Sequence, residues 1–97
     1  MIYGFIMIQT EIPSLTDIQV LSPLAWVQKE SERIAAIYGR KCMPLTLREL
    51  DDCMDRVDGV IGAPHFPYAE EDQRRLEWYL IQLSATAIAM LQQLREP

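Results

Sequence analysis

The chain has 97 residues, which fits one domain, and 49% of them are apolar, enough to form a core and too many for a disordered chain. It carries 9 Lys+Arg against 14 Asp+Glu, a net charge of -5, so it repels phosphate backbones and duplex nucleic acid is not an expected partner. A domain this small buries a modest share of its surface, so the apolar fraction also favours self-association.

The first stretch, residues 1–21, reads as an N-terminal arm ahead of a helical domain over 22–97. Ile2 to Ile6 is β-prone without an obvious partner strand. Met1 to Ile8 is apolar but far shorter than the roughly 18 residues a membrane span needs. It has neither a basic leader region nor a small-residue cleavage site, so it does not read as a secretory signal. Met1 and Met7 are both readable as the start. Pro13 and Ser14 interrupt the arm, and Asp17 to Leu21 has the character of a short helical turn.

Three main helices follow. Ser22-Pro23 opens the first: serine is a good N-cap, and proline is tolerated at the first helical position, where the N–H has no helical partner. Leu24, Val27, Ser31, Ile34, Ala35 and Tyr38 share one face of it, and Gly39 ends it. Thr46-Leu47-Arg48-Glu49 reads as a capping box that opens the second helix. Leu47, Leu50, Met54, Val57 and Ile61 then form a heptad-like apolar stripe, and Gly62 and Pro64 stop the helix. After a turn from Ala63 to Tyr68, the third helix begins near Pro67 or Tyr68 and runs to about Arg95. Glu70, Glu71 and Asp72 favour its N-terminal dipole. Between Leu76 and Leu91 it is apolar nearly all round, so it must be covered on more than one face. Two shorter helices cover it poorly. Glu77, Gln82 and Ser84 interrupt the run, so it is not a clean membrane span. The expected fold is all-α, a small bundle of three main helices plus the arm, completed by a homodimer or a higher homo-oligomer.

The chemical signal concentrates on the second helix. At about 100° per residue, Asp51, Asp55 and Asp58 fall within roughly 60° of one another, bordering the apolar stripe, while Asp52 sits further round towards solvent. Like charges at these spacings destabilise a helix by a few tenths of a kcal/mol per pair. A hard divalent cation, Mg²⁺ or Mn²⁺, would relieve them; a solvated acidic face is the alternative. Elsewhere the signals are weaker. Cys42 and Cys53 lack metal-ligand spacing and read as free thiols in a reducing, cytoplasmic setting. His65 has no second histidine to share a zinc ion. Ser84 and Thr86 read as small packing residues, and Trp26 and Trp78 as anchors of the core or an interface.

Three short motifs carry a likeness to a known family. Asp51-Asp52-x-x-Asp55 stands where a Glu-Glu-x-x-Glu metal motif would be, Leu80-Ile81-Gln82-Leu83-Ser84-Ala85 matches a later helical run, and Tyr38-Gly39 matches an aromatic-glycine pair. On these the chain resembles the all-α nucleoside triphosphate pyrophosphohydrolases of the MazG type, over roughly Glu32 to Leu94. The resemblance implies a metal-dependent hydrolysis of a nucleoside triphosphate to a monophosphate and pyrophosphate, with Mg²⁺ held by Asp51, Asp55 and Asp52 or Asp58. The chain departs from the pattern three residues before Gln82, where the family's second-helix carboxylate is replaced by Tyr79. Glu77 lies about 200° away from Tyr79 round the helix, on the wrong face. A non-catalytic helical module, acting through self-association or partner binding, is therefore the competing expectation.

Overall fold

A computed structural model describes residues 11–38, 47–63 and 69–95. It shows the expected all-α bundle, with four helices among the described residues: α1 (Leu15–Val20), α2 (Pro23–Ile37), α3 (Leu47–Ile61) and α4 (Glu70–Leu94). The expected capping threonine Thr46, the turn around His65, the β-prone Ile2–Ile6 stretch, Cys42, and the Pro67–Tyr68 start of the last helix lie outside the described residues.

Local chemistry accounts for the helix ends. The Ser14 hydroxyl accepts from the Asp17 amide to open α1, and the Ser22 hydroxyl accepts from the Ala25 amide to open α2, with Pro23 in the first turn. Gly62 closes α3 by donating its amide to the Asp58 carbonyl at 2.8 Å. The Arg95 amide bonds the Gln92 carbonyl at the end of α4.

α4 is the axis of the bundle: α1, α2 and α3 all pack on it, and none of the three packs extensively on another. α2 runs parallel to α4. Trp26 meets Trp78 edge-to-face, with ring centroids 5.4 Å apart, Glu30 meets Gln82, and the Gln93 amide reaches the Tyr38 carbonyl at the far end. α3 runs antiparallel, with Cys53 beside Thr86 and Asp55 to Gly59 beside Tyr79 and Arg75. The expected helical turn in the arm extends to α1 and belongs to the bundle. Ile18 is buried with Trp26, Trp78 and Ile81, the Trp26 indole donates to the Ile18 carbonyl at 2.6 Å, and Arg74 donates to the Ile12 and Pro13 carbonyls. A second core cluster joins Ile34, Tyr38, Cys53, Ala85 and Ala89.

Which face of α3 turns inward differs from the sequence reading. On α3 the buried residues are Glu49, Cys53 and Val60, whereas Leu47, Met54 and Ile61 of the apolar stripe are 65%, 48% and 53% exposed. The stripe is real, but α4 packs against its flank rather than its centre. On the α2 side, Ser31, Ile34 and Tyr38 of the expected face are buried and Val27 is half-buried, while Trp26 and Glu30 join them inside and Leu24 and Ala35 stand in solvent. No described helix is long and apolar enough to cross a membrane.

Candidate functional site: a mixed-charge cleft between α3 and α4

The antiparallel packing of α3 on α4 leaves a cleft of about 380 Å³ lined by Asp52, Asp55, Arg56, Gly59, Arg75 and Tyr79. Gly59 keeps it open, since no atom lies within 4 Å of where its Cβ would stand. Two of the four expected metal-site carboxylates, Asp52 and Asp55, enter this cleft. Asp51 and Asp58 do not; they are exposed on the outer side of α3. Asp52, expected towards solvent, is half-buried because α4 lies against that side of α3. Tyr79 of α4 lines the same cleft as Asp52 and Asp55 of α3.

Arg56 and Arg75 change the electrostatics. Two carboxylates face two guanidinium groups, so the cleft has no excess of negative formal charge. The Arg75 Nη1 also lies 4.0 Å from the Oδ1 of buried Asp72. A divalent cation needs several oxygen ligands and a local negative field. Two carboxylates one turn apart supply the start of such a set, and the arginines oppose it. Among the described residues no group of three or more His, Cys, Asp or Glu side chains is arranged to hold a metal ion. Asp51 and Asp58 thus stand outside the cleft that Asp52 and Asp55 share.

Behind the cleft lies a polar layer that the sequence reading missed. Glu30 is 4% exposed, and its Oε1 accepts from Arg33 Nε at 2.9 Å and from Gln82 Nε2 at 2.7 Å. Arg33 Nη2 also reaches Gln82 Oε1 at 3.4 Å. The fully buried Thr86 hydroxyl donates back to the Gln82 carbonyl and lies 3.7 Å from the Cys53 sulfur. The layer thus joins α2, α4 and α3 in sequence. Its signal was present: Glu30 lies on the row Trp26, Ile34, Tyr38 at steps of four, a charge placed among core residues.

Burial favours the neutral forms of two ionisable core residues, Cys53 and Tyr38. Burial pushes the Cys53 thiol above its ordinary range; the contact with Thr86 opposes this and the nearby Asp52 carboxylate adds to it. Burial likewise raises the Tyr38 phenol, reinforced by Glu49. A thiol attacks as the thiolate, so Cys53 is a packing residue in this environment. Comparison of the chain with protein-family models, with curated proteins and with solved structures gave no match.

Proposed function

We propose that the chain is a non-catalytic helical module that self-associates through α4. The observation that carries this reading is a side of α4 that no described helix covers. It presents Leu80, Ile88, Leu91 and Leu94 at 43%, 38%, 48% and 78% exposure, with exposed Ser84 and Ala87 between them. Leu80, Ser84, Ala87, Leu91 and Leu94 alternate steps of four and three, the seam of a coiled coil.

The seam is complementary to itself. An antiparallel pair about a two-fold axis between Ser84 and Ala87 sets Leu80 against Leu91 of the second copy, and Ser84 against its Ala87. Small residues at the crossing let the helix axes approach to about 8 Å, the lower end of helix packing distances. Glu77 then lies beside Leu94 and Arg95 of the second copy, opposite charges meeting at both ends. An apolar groove of about 460 Å³, bounded by Val20, Leu21, Trp26, Leu80 and Ser84, opens beside the seam and takes the leucines of the second copy. A stable isologous pair of this kind needs to bury roughly 1,000 Å² or more in total.

Light scattering at micromolar concentration tests this. The wild-type chain is expected at twice 11.2 kDa, and Leu91→Glu at the single mass with unchanged helical content. A wild-type chain at the single mass refutes the reading.

The pyrophosphohydrolase reading keeps one observation in its favour: Asp52, Asp55 and Tyr79, which the motifs align, share one cleft. It expects Mn²⁺ to raise the melting temperature and Asp52→Asn/Asp55→Asn to abolish that rise. Calorimetry showing no binding at millimolar Mn²⁺ leaves the solvated-face alternative.

A further inference from the structure

The apolar stripe of α3 has a different character from the seam of α4. Leu47, Met54 and Ile61 recur at every seventh position and are 65%, 48% and 53% exposed, with half-buried Leu50 and Val57 between them. Together they make a two-heptad seam whose one flank meets α4 and whose centre is exposed. Leaving it bare forfeits about 25 cal/mol for each Å² of apolar surface, so a partner surface is favoured.

The edges decide which partner. On one side the seam runs into Cys53 and Val60, which are buried against the bundle and unavailable for pairing. The open edge carries exposed Asp51 and Asp58, with exposed Asp55 next to them. Asp51 and Asp58 stand outside the cleft in which Arg56 and Arg75 face Asp52 and Asp55, so the charge of this edge is negative. An antiparallel second copy centred on Met54 would bring Asp51 and Asp58 against their own counterparts along one edge, and along the other would need the Cys53 and Val60 edge that α4 occupies. A parallel second copy would need the Cys53 and Val60 edge, which α4 already occupies. An anionic membrane surface meets the same repulsion.

We infer that the α3 face is a docking surface for a basic amphipathic helix of another protein, about four turns long, with apolar residues at heptad spacing and Lys or Arg along the edge that meets Asp51, Asp55 and Asp58. This inference does not rest on the α4 pairing, because the two seams lie on different helices. Helix-in-groove recognition of this kind takes its affinity from the apolar anchors and its selectivity from the charged edge. The carboxylates at spacings of three and four, unfavourable for α3 alone, become favourable when the partner's cations sit between them.

The probe is a pair of synthetic helical peptides of about 18 residues, long enough to match α3, with Leu at the seam positions and either Lys or Glu at the edges. The full-length chain is titrated with each and followed by fluorescence anisotropy. The Lys peptide is expected to bind at least about tenfold more tightly than the Glu peptide and to weaken as salt rises. Met54→Glu, at an exposed position that does not disturb the core, is expected to abolish binding. Asp51→Lys/Asp58→Lys is expected to reverse the preference between the peptides. Equal affinity for both peptides, or Lys-peptide binding that survives Met54→Glu, overturns the inference. So does a fall in the wild-type oligomeric mass on Met54→Glu, which would show a second copy on this face. Failure of the α4 reading is seen separately, in the mass of the chain without peptide.

Discussion

The polar layer of Glu30, Arg33 and Gln82 offers a sharp test of how the core is held. Gln82→Leu keeps the side-chain volume nearly constant but removes the donor at 2.7 Å from the Glu30 carboxylate, leaving that buried acid with Arg33. A hydrogen bond to a charged group contributes about 1.5–3 kcal/mol, so a loss of about 2 kcal/mol is expected. Glu30→Leu strands the Gln82 amide instead and costs about 1–3 kcal/mol. Were the two residues independent, the double substitution would lose the sum. They are not: with both gone, two leucines pack together, and Arg33, whose side chain is 29% exposed, turns to water. Glu30→Leu/Gln82→Leu is therefore expected within about 1 kcal/mol of wild type, because removing both partners leaves nothing unsatisfied. Urea denaturation of the four proteins at one concentration measures the cycle, with a constant slope confirming that the unfolded state is unchanged. In a domain of 97 residues each single substitution should lower the melting temperature by several degrees. A double variant whose loss equals the sum of the singles, within the about 0.5 kcal/mol that distant sites show, refutes the network.

Other outcomes follow from single positions. Gly59→Ala should stabilise the fold by about 0.5–1 kcal/mol in thermal melts, because a mid-helix glycine is unfavourable and the new methyl meets no atom within 4 Å. A loss of stability would mean that the cleft is narrower than described. Alkaline pH should destabilise the fold in two steps. Cys53 and Tyr38 titrate above their unfolded values, so their contribution is complete below those values, about 8.5 and 10, and is lost as pH rises through the folded ones. Tyr38→Phe should flatten the upper step and leave the lower; an unchanged profile would show that neither burial nor Glu49 acts on this phenol.

Helix existence was legible in the sequence because its signals are local. Ser22-Pro23 marks a start that needs no knowledge of neighbours, and the apolar run from Leu76 to Leu91 requires cover from several directions. The facing of α3 was not legible, because it depends on which neighbour arrives. The stripe from Leu47 to Ile61 is the more apolar side of α3, yet α4 takes the side with Glu49, Cys53 and Val60. On that side Cys53 lies 3.7 Å from Thr86, a contact between residues far apart in the chain. The same shift moved Asp52 from the solvent side into the cleft and left Asp51 and Asp58 outside it. The meeting of Tyr79 with Asp52 and Asp55 was not readable either, because it joins two helices.

The central place of α4 has a consequence for how the chain is made. Every helix that packs on α4 is translated before it. The inward row of α2 is complete at Tyr38, but its contacts are Trp78, Gln82 and Gln93, some fifty residues later. At about 5–20 residues per second, Trp26 and Ile34 wait several seconds for α4, with Ile18 of α1 and later Cys53 of α3 to cover part of them. Such distant pairings also make this a slow folder among small helical proteins. During that interval α1, α2 and α3 offer apolar surface to whatever is near, so chaperone engagement should be strongest on nascent chains released just before α4 emerges.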